Sequence, residues 1–536
     1  MKKIILSTYI FLNAAVSYSQ TSGSSLLYGI FSAKGNTNVV LQNNGKDDLS
    51  LSAHADSNRS FGRNPFNFPK SYSNGSSYNV TVKSSSPGMT CVITEGGQGI
   101  FSSGSNRLKV DCDYSYDLIS RSTNDAAFGS FYESSAPVVG GNIWEEGRYV
   151  AFVSSAKGLD GSTGKHRQVF WRDRNTGTTK MISVGPNGEE GNGDSFAPAM
   201  DINGRRVAFE SYSTNLVEAD ANGVRDVFYF DAITGQVIRV STGINGAEAN
   251  AESFEPTFSG GGDVIAFTSS ASNLTPGVEG TSTPNVYRRH LLEASPILIS
   301  MDPLTHKGVG GSRPSFSGDG TRLVFYSYSS KLVSNDNNNL WDIFLYESYK
   351  PLRRISLTNN GGERNQGMES ASRVVTPSIS LNGRYVAFAT TATNMVPDDN
   401  NNTQDVFVVD VETGAVVRAS VTASGAEGDG DSPVGQGEKI AINYDGKWVA
   451  FTTKATNLGT LPDNIVMHKM TTGECRAIIA VKGSYVGVPS MSRKGSYITF
   501  GMGARLDSRF ASSGIFSMYT GVAGSRFNSQ NAINND

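Results

Sequence analysis

The sequence predicts an all-β chain: a seven-bladed β-propeller with four-stranded antiparallel blades, preceded by a smaller β-domain. Three observations carry this expectation. A glycine followed five residues later by phenylalanine, with apolar residues between, occurs seven times: Gly147/Phe152, Gly204/Phe209, Gly262/Phe267, Gly320/Phe325, Gly383/Phe388, Gly446/Phe451 and Gly495/Phe500. Glycine is 59 of 536 residues, about 11% against a usual ~7%; many tight turns with φ > 0 need it, and a helical bundle does not tolerate it. No period-3.6 apolar stripe runs through the repeats, which sets aside a helical solenoid. The 27 Phe, 21 Tyr and 4 Trp are enough to fill a large core, so the chain does not read as disordered.

At the N-terminus, Lys2 and Lys3 precede an apolar run from Ile4 to Val16 and the small residues around Ser17 and Ser19. This three-part pattern reads as a signal peptide over residues 1–19, cleaved after Ser19. The run is too short, and too interrupted by Ser7, Thr8 and Asn13, for a membrane helix of about 20 apolar residues. No later stretch is apolar enough to span a bilayer. The chain is thus expected to be exported, to the periplasm, the cell surface or the medium. Of its three cysteines, Cys91 and Cys112 make a natural disulfide in an oxidising compartment, and Cys475 is left over, read as a buried unpaired thiol beside an outer strand with an intermolecular bridge as the alternative. A net charge of -3 with no strongly basic stretch disfavours binding nucleic acid through its phosphates.

Residues 20–114 alternate in strand fashion, as in Tyr78–Lys83 and Arg107–Asp111, with turn clusters such as Asn43-Asn44-Gly45 between. The Val40–Ser50 segment, the Tyr78 run and the Gly88–Cys91 and Val110–Cys112 ending resemble a small bacterial immunoglobulin-like β-sandwich, which in such proteins is a spacer or adhesive module. Arg63–Pro69 reads as a local insertion.

Residues 115–522 hold the repeats, and 523–536 form a polar tail. Each unit reads as four strands. The first carries a proline six residues before the glycine in five units (Pro198, Pro256, Pro314, Pro377, Pro489), while Pro137 and Pro433 are displaced. The glycine turns into a second strand whose unbroken apolar run suits burial on both faces. A polar loop leads to a third strand such as Asp405–Asp410, and a Thr-Gly turn (Thr176, Thr234, Thr413, Thr472) to a fourth. The seventh unit ends after its third strand, near Tyr519, whereas Asp117–Thr123 looks like an unattached fourth strand; pairing the two closes the ring and removes two exposed edges. From about Asp117 to Gly521 the units resemble the TolB-like (WD-like) bacterial propeller repeats, P-x-x-S-x-(D/N)-G-x-x-V-A-F, then N-L-V-x-x-D-x-N-G-x-x-D-V-F, then D-x-x-T-G. The resemblance implies a propeller used as a binding platform, a translocation accessory or, less often, an enzyme. TolB itself has six blades, so seven units depart from it.

The loop between the second and third strands carries D-x-N-x-x-x-D in three units: Asp220/Asn222/Asp226, Asp336/Asn338/Asp342 and Asp399/Asn401/Asp405. Oxygen ligands two residues apart beside a turn residue suit a hard cation such as Ca²⁺. The same residues also build Asx turns that tie down loop N–H groups without metal. Gln168 and Asn285 replace the last Asp in units one and three, and such partial retention favours a stabilising role over catalysis. The chain has no G-x-S-x-G, H-E-x-x-H or phosphate loop, and its five histidines fall at unrelated offsets. Glu189, Glu190 and Glu363 precede inner strands, where they read as solvated loop residues rather than a rim of the channel, and Tyr149, Tyr385 and Trp448 read as packing between blades rather than sugar platforms. The expectation is a non-enzymatic binding or adhesion module with a protein or glycan partner at one propeller face. The alternatives are a polysaccharide lyase or hydrolase and a TolB-like envelope accessory.

Overall fold

The computed structural model describes residues 24–33, 37–53, 62–85, 89–102, 106–114, 116–123, 134–142, 145–277, 283–366, 375–433, 439–459, 464–478, 486–502 and 514–520. The leader, its cleavage point at Ser19 and the 523–536 tail lie outside the described residues. The chain divides into two compact units between Ser115 and Tyr116. Among the described residues there are nine four-stranded sheets and no helix beyond two short 3-10 turns. None is long and apolar enough to cross a membrane.

The first unit holds two of the sheets. In one, the order is Gly62–Ser73, Ser24–Ala33, Arg107–Tyr114, Met89–Glu95; in the other, Asp47–Ala53, Thr37–Asn43, Ser77–Ser85, Gln98–Ile100. Leu27, Phe31 and Leu108 from the first meet Val39, Leu41 and Val80 from the second in one buried core. Cys91 and Cys112 are register partners on adjacent strands, and their sulfurs are bonded. The segment Arg63–Pro69, expected as a local insertion, lies within the strand Gly62–Ser73, antiparallel to Ser24–Ala33. Phe66 and Phe68 point inward while Pro65 and Pro69 face out, and the strand lies at the sheet edge, where a proline breaks no ladder bond.

The second unit holds seven sheets, numbered here in chain order. Sheet 1 is Ser134–Gly140, Tyr149–Ser154, Gln168–Asp173 and Thr178–Met181; sheet 2 is Ser195–Met200, Arg206–Ser211, Asp226–Asp231 and Val237–Arg239. Sheet 3 is Ser253–Phe258, Val264–Ser269, Asn285–His290 and Ile297–Leu298; sheet 4 is Ser312–Phe316, Arg322–Ser327, Asp342–Glu347 and Arg353–Arg354. Sheet 5 is Ser378–Ile379, Tyr385–Thr390, Asp405–Asp410 and Val416–Arg418; sheet 6 is Ala441–Ile442, Trp448–Thr453, Asn464–Lys469 and Cys475–Ala477. Sheet 7 combines Ser490–Met491, Tyr497–Met502 and Gly514–Tyr519 with Tyr116–Leu118, from the start of the unit.

The repeated glycine and phenylalanine each have a physical reason. All seven glycines have φ between 70° and 83°, the left-handed region a tight turn needs and Cβ-bearing residues avoid. At Gly204 there is a second constraint, because a Cβ would lie 2.1 Å from the Tyr149 ring of the preceding sheet. The phenylalanine of the second strand meets an aromatic ring of the third at 5.7–6.3 Å in six sheets, and in sheet 6 Phe451 faces Val466. The residues leading to each phenylalanine of the second strands are almost all apolar because both faces are covered: Val207 and Phe209 pack toward sheet 1, Ala208 toward sheet 3. Such clusters join each sheet to the next, and Ile119 and Ile515 of sheet 7 pack with Val150 and Phe152 of sheet 1. Each sheet therefore packs against the next and the last against the first, the ring arrangement of a propeller.

The segment after Tyr116 reproduces a fourth strand in detail. Ile119 N–H donates to Ile515 O at 2.7 Å, as Ile182 does to Val169 and Val240 to Val227. Ser120 Oγ accepts from Ile515 N, the task of Ser183, Ser241, Ser300, Ser356 and Ser420 in sheets 1 to 5.

Candidate functional site

Second strands end where first and third strands begin, since Ser211 is paired with both Ser195 and Asp226. The loops between strands two and three, and those leading from one sheet to the next, therefore gather at one end of the ring. The D-x-N-x-x-x-D residues do come together there, but the cation they surround is a guanidinium. Arg239 Nη1 lies 3.1 Å from Asp220, 3.6 Å from Asp226 and 2.8 Å from Glu248. Arg354 lies 2.7, 3.4 and 3.0 Å from Asp336, Asp342 and Glu363, and Arg418 lies 3.1, 3.5 and 3.2 Å from Asp399, Asp405 and Glu427. The arginine comes from the fourth strand, opposite the aromatic ring of the third.

The amide oxygens are turned elsewhere. Asn222, Asn338 and Asn401 donate through Nδ2 to Asp226, Asp342 and Asp405 at 2.7, 2.9 and 3.1 Å. Their Oδ1 atoms accept backbone N–H groups two residues on, from Val224, Leu340 and Thr403. An ionised carboxylate only accepts, so the NH₂ must face it and the amide oxygen is committed to an Asx turn. The inner carboxylate also accepts a serine hydroxyl from the fourth strand: Ser241, Ser356 or Ser420. A calcium loop needs oxygens converging on a point free of positive charge; these residues do not fit one.

Three carboxylates around one guanidinium leave excess negative charge in sheets 2 and 5. Burial pushes Asp220 up to about 6, with Arg239 opposing and Asp226 and Glu248 adding to the rise. Burial likewise pushes Asp405 up to about 6, against its bonds to Ser420, Arg418 and Asn401. In sheet 4 a second arginine, Arg364, reaches Asp342 at 2.9 Å. The third carboxylates, Glu248 and Glu427, carry no motif of their own, and Glu363 is one of the acidic residues that precede inner strands. A signal existed: each stands nine positions after the arginine, in the same three units that carry the loop motif. In sheet 3 the whole set is gone together, with Asn285, Leu298 and Gly308 in place of Asp, Arg and Glu.

At the mouth of the ring, arginines preceding third strands lie over aromatic rings. Arg167 covers Phe196 at 4.1 Å and pairs with Asp194. Arg225 covers Phe254 at 4.4 Å and Tyr212 at 5.6 Å, and bridges Glu210 and Glu252 at 3.0 and 3.1 Å. In sheet 4 the corresponding residue is Trp341, beside Tyr328 at 5.9 Å. Tyr212 and Tyr328 remain 44% and 54% exposed, so an aromatic surface faces solvent on a braced base. Burial lifts the Glu210 carboxyl above its usual range, with Arg225 opposing. Tyr149 and Tyr385 instead close over Gly204 and Gly446, and Trp448 is buried beneath Arg476. Glu190 is held by Ser162 and the Thr163 N–H, and His468, almost fully buried, lies against Cys475.

No protein-family model matches the chain, and no curated protein matches it. Solved structures do. TolB from Acinetobacter baumannii is 15% identical with a TM-score of 0.34, over 65% of this chain and 66% of that one, so just under two thirds of its length is spanned. Oligogalacturonate lyase from Vibrio parahaemolyticus is 9% identical with a TM-score of 0.45, over 83% and 98%. The β-propeller domain of the Trilobed protease from Pyrococcus furiosus is 13% identical with a TM-score of 0.43, over 74% and 96%.

Proposed function

We propose that the chain is an exported, non-enzymatic binding or adhesion module. In this reading the seven sheets are the blades of one propeller that bears the recognition surface, and the N-terminal sandwich is an immunoglobulin-like spacer. The observation that carries it is the mouth: Tyr212 and Tyr328 exposed, with Arg225 held between rings and two carboxylates. Tyr, Trp and Arg are the residues that concentrate binding energy at interfaces. Fixing them before contact lowers the ordering cost of association. Their composition favours a protein partner, with a glycan as the second class. The arginine-centred loops behind the mouth serve to hold it, without calcium.

The test is photo-crosslinking from positions 212 and 328 on producing cells, with a glycan array run in parallel. The reading expects one dominant crosslinked protein, lost when Tyr212→Ala, Tyr328→Ala and Trp341→Ala are combined in a protein of unchanged melting temperature. Equal capture by the triple variant overturns it. Turnover of a polysaccharide by the purified protein overturns its non-enzymatic part.

A further inference from the structure

The first strands of the seven sheets surround the ring axis, and the residue seven positions before each turn glycine occupies one level: Ala197, Glu255, Arg313, Thr376, Lys439 and Val488 in sheets 2 to 7. Ala136, before Pro137, takes the same place in sheet 1. The level is structurally consistent, for Thr376 and Lys439 form a parallel bridge across sheets 5 and 6. In sheets 1 to 4 this residue precedes proline yet has φ of 47°, 46°, 55° and 56°, at a break in strand register. Non-glycine residues seldom adopt positive φ, so four repeats of the same bulge mark an imposed geometry. The bulge carries Ala136 and Ala197 to the wall of an axial cavity of about 390 Å³.

That cavity draws its walls from sheets 1, 2, 4, 5, 6 and 7, with Val138, Pro198, Ile379, Ile442 and Met491 among them. Among the described residues Lys439 is the one charged residue in the lining. Glu255 and Arg313, the other charges of its level, are committed to each other: Arg313 N–H donates to Glu255 Oε2 at 2.8 Å, and the guanidinium lies 3.8 Å away. Glu210 is held by Arg225 and the Glu255 N–H. Among the described residues no carboxylate lies within ion-pair distance of the Lys439 ammonium. Its side chain is open to water in the channel but enclosed by protein, and loss of bulk solvation pulls it below the ordinary lysine range, with Glu255 and Glu210 opposing and Arg313 reinforcing.

A lysine with no carboxylate of the described residues in ion-pair reach, in a largely apolar cavity of this size, suits an anion with an apolar body, and the volume falls in the roughly 300–1,000 Å³ range of small-molecule sites. We propose that the axial cavity binds a small amphipathic monocarboxylate, its head on Lys439 and its chain against the walls of the first strands. The site is distinct from the exposed aromatic mouth and does not depend on the reading of that surface.

The full chain is titrated with sodium octanoate, 1-octanol and sodium acetate by calorimetry at pH 7. Octanoate is expected to bind at least tenfold more tightly than either of the others, since only it satisfies both the ammonium and the walls. Lys439→Met should reduce octanoate binding at least tenfold and leave octanol unchanged, and Lys439→Arg should restore octanoate. A second readout is independent of any variant: octanoate, but not octanol, should protect Lys439 from reductive methylation while leaving Lys454 labelled. Equal affinity for octanoate and octanol, equal affinity for octanoate and acetate, or labelling of Lys439 unaffected by octanoate each overturn the proposal.

Discussion

Replacing Arg239 by methionine removes the one cation shared by Asp220, Asp226 and Glu248 while keeping the apolar stem. The arginine is 7% exposed and the two aspartates 2% and 0%, so neither carboxylate can turn to bulk water for compensation. Breaking a buried pair from one side costs about 3–5 kcal/mol, because an uncompensated charge stays buried. Asp220 already stands near 6 with the arginine present, so part of that cost is relieved by protonation, and about 3 kcal/mol is the expected loss at pH 7.5. Sheet 3 supplies the control: it holds Asn285 and Leu298 where sheet 2 has Asp226 and Arg239, and it packs as well. The triple variant Arg239→Met, Asp220→Asn, Asp226→Asn should therefore recover most of the loss. Urea midpoints of the three proteins, with intrinsic fluorescence and circular dichroism compared to check for a single transition, measure this. A loss below about 1 kcal/mol, the range of an exposed ion pair, or no recovery in the triple variant, refutes the argument. So does a wild-type melting temperature that rises in 10 mM Ca²⁺ over EDTA, a calcium concentration about ten times the Kd of a weak extracellular site.

The raised pKa of Asp220 and Asp405 has a definite sign in the pH dependence. A carboxyl near 6 when folded and 3.8 when unfolded binds its proton more readily in the native state, so its contribution is full below about 4 and lost as pH rises through 6. The melting temperature of Asp220→Asn/Asp405→Asn should thus fall less than that of wild type between pH 5 and 7.5; parallel curves would contradict the assignment. Deleting residues 20–114 should leave a folded ring, whereas deleting 20–124 removes Tyr116–Leu118 and Ser120, exposes the edge of Gly514–Tyr519 and should lower the melting temperature or cause aggregation. Equal melting of the two truncations would show that the edge strand is dispensable. Non-reduced intact mass should show one bridge at Cys91–Cys112, and Cys91→Ala/Cys112→Ala should destabilise the first unit by about 3 kcal/mol in the chain-entropy model. Free thiols at both positions would remove that expectation.

Much of the fold is legible in the chain because its signals are local. A glycine at φ near 70° and a phenylalanine five residues later recur wherever a second strand begins, and a turn or a buried strand imposes its residue types whatever lies beyond it. Even the closing strand announces itself, since Leu118-Ile119-Ser120 repeats the pattern of a fourth strand with no third strand before it. The edge strand around Pro65 and Pro69 was not legible: proline argues against a strand unless the strand is known to be outermost, and edge position is a property of the sheet.

The loops show most clearly what only the tertiary structure decided. Their sequence determined that two carboxylates and an amide would meet, and it determined the turn that brings them together. Which cation neutralises them was set by a residue twelve or thirteen positions later on another strand, the arginine whose register places it over the same point. The same holds for Lys439, which carries no motif. Its surroundings follow from the fold, which turns residues of six sheets toward one axis and leaves Glu210 and Glu255 bonded to other partners. Local sequence selects backbone conformation through sterics acting over a few residues, while electrostatic partnership depends on distance in space, and that exists only once the chain has closed on itself.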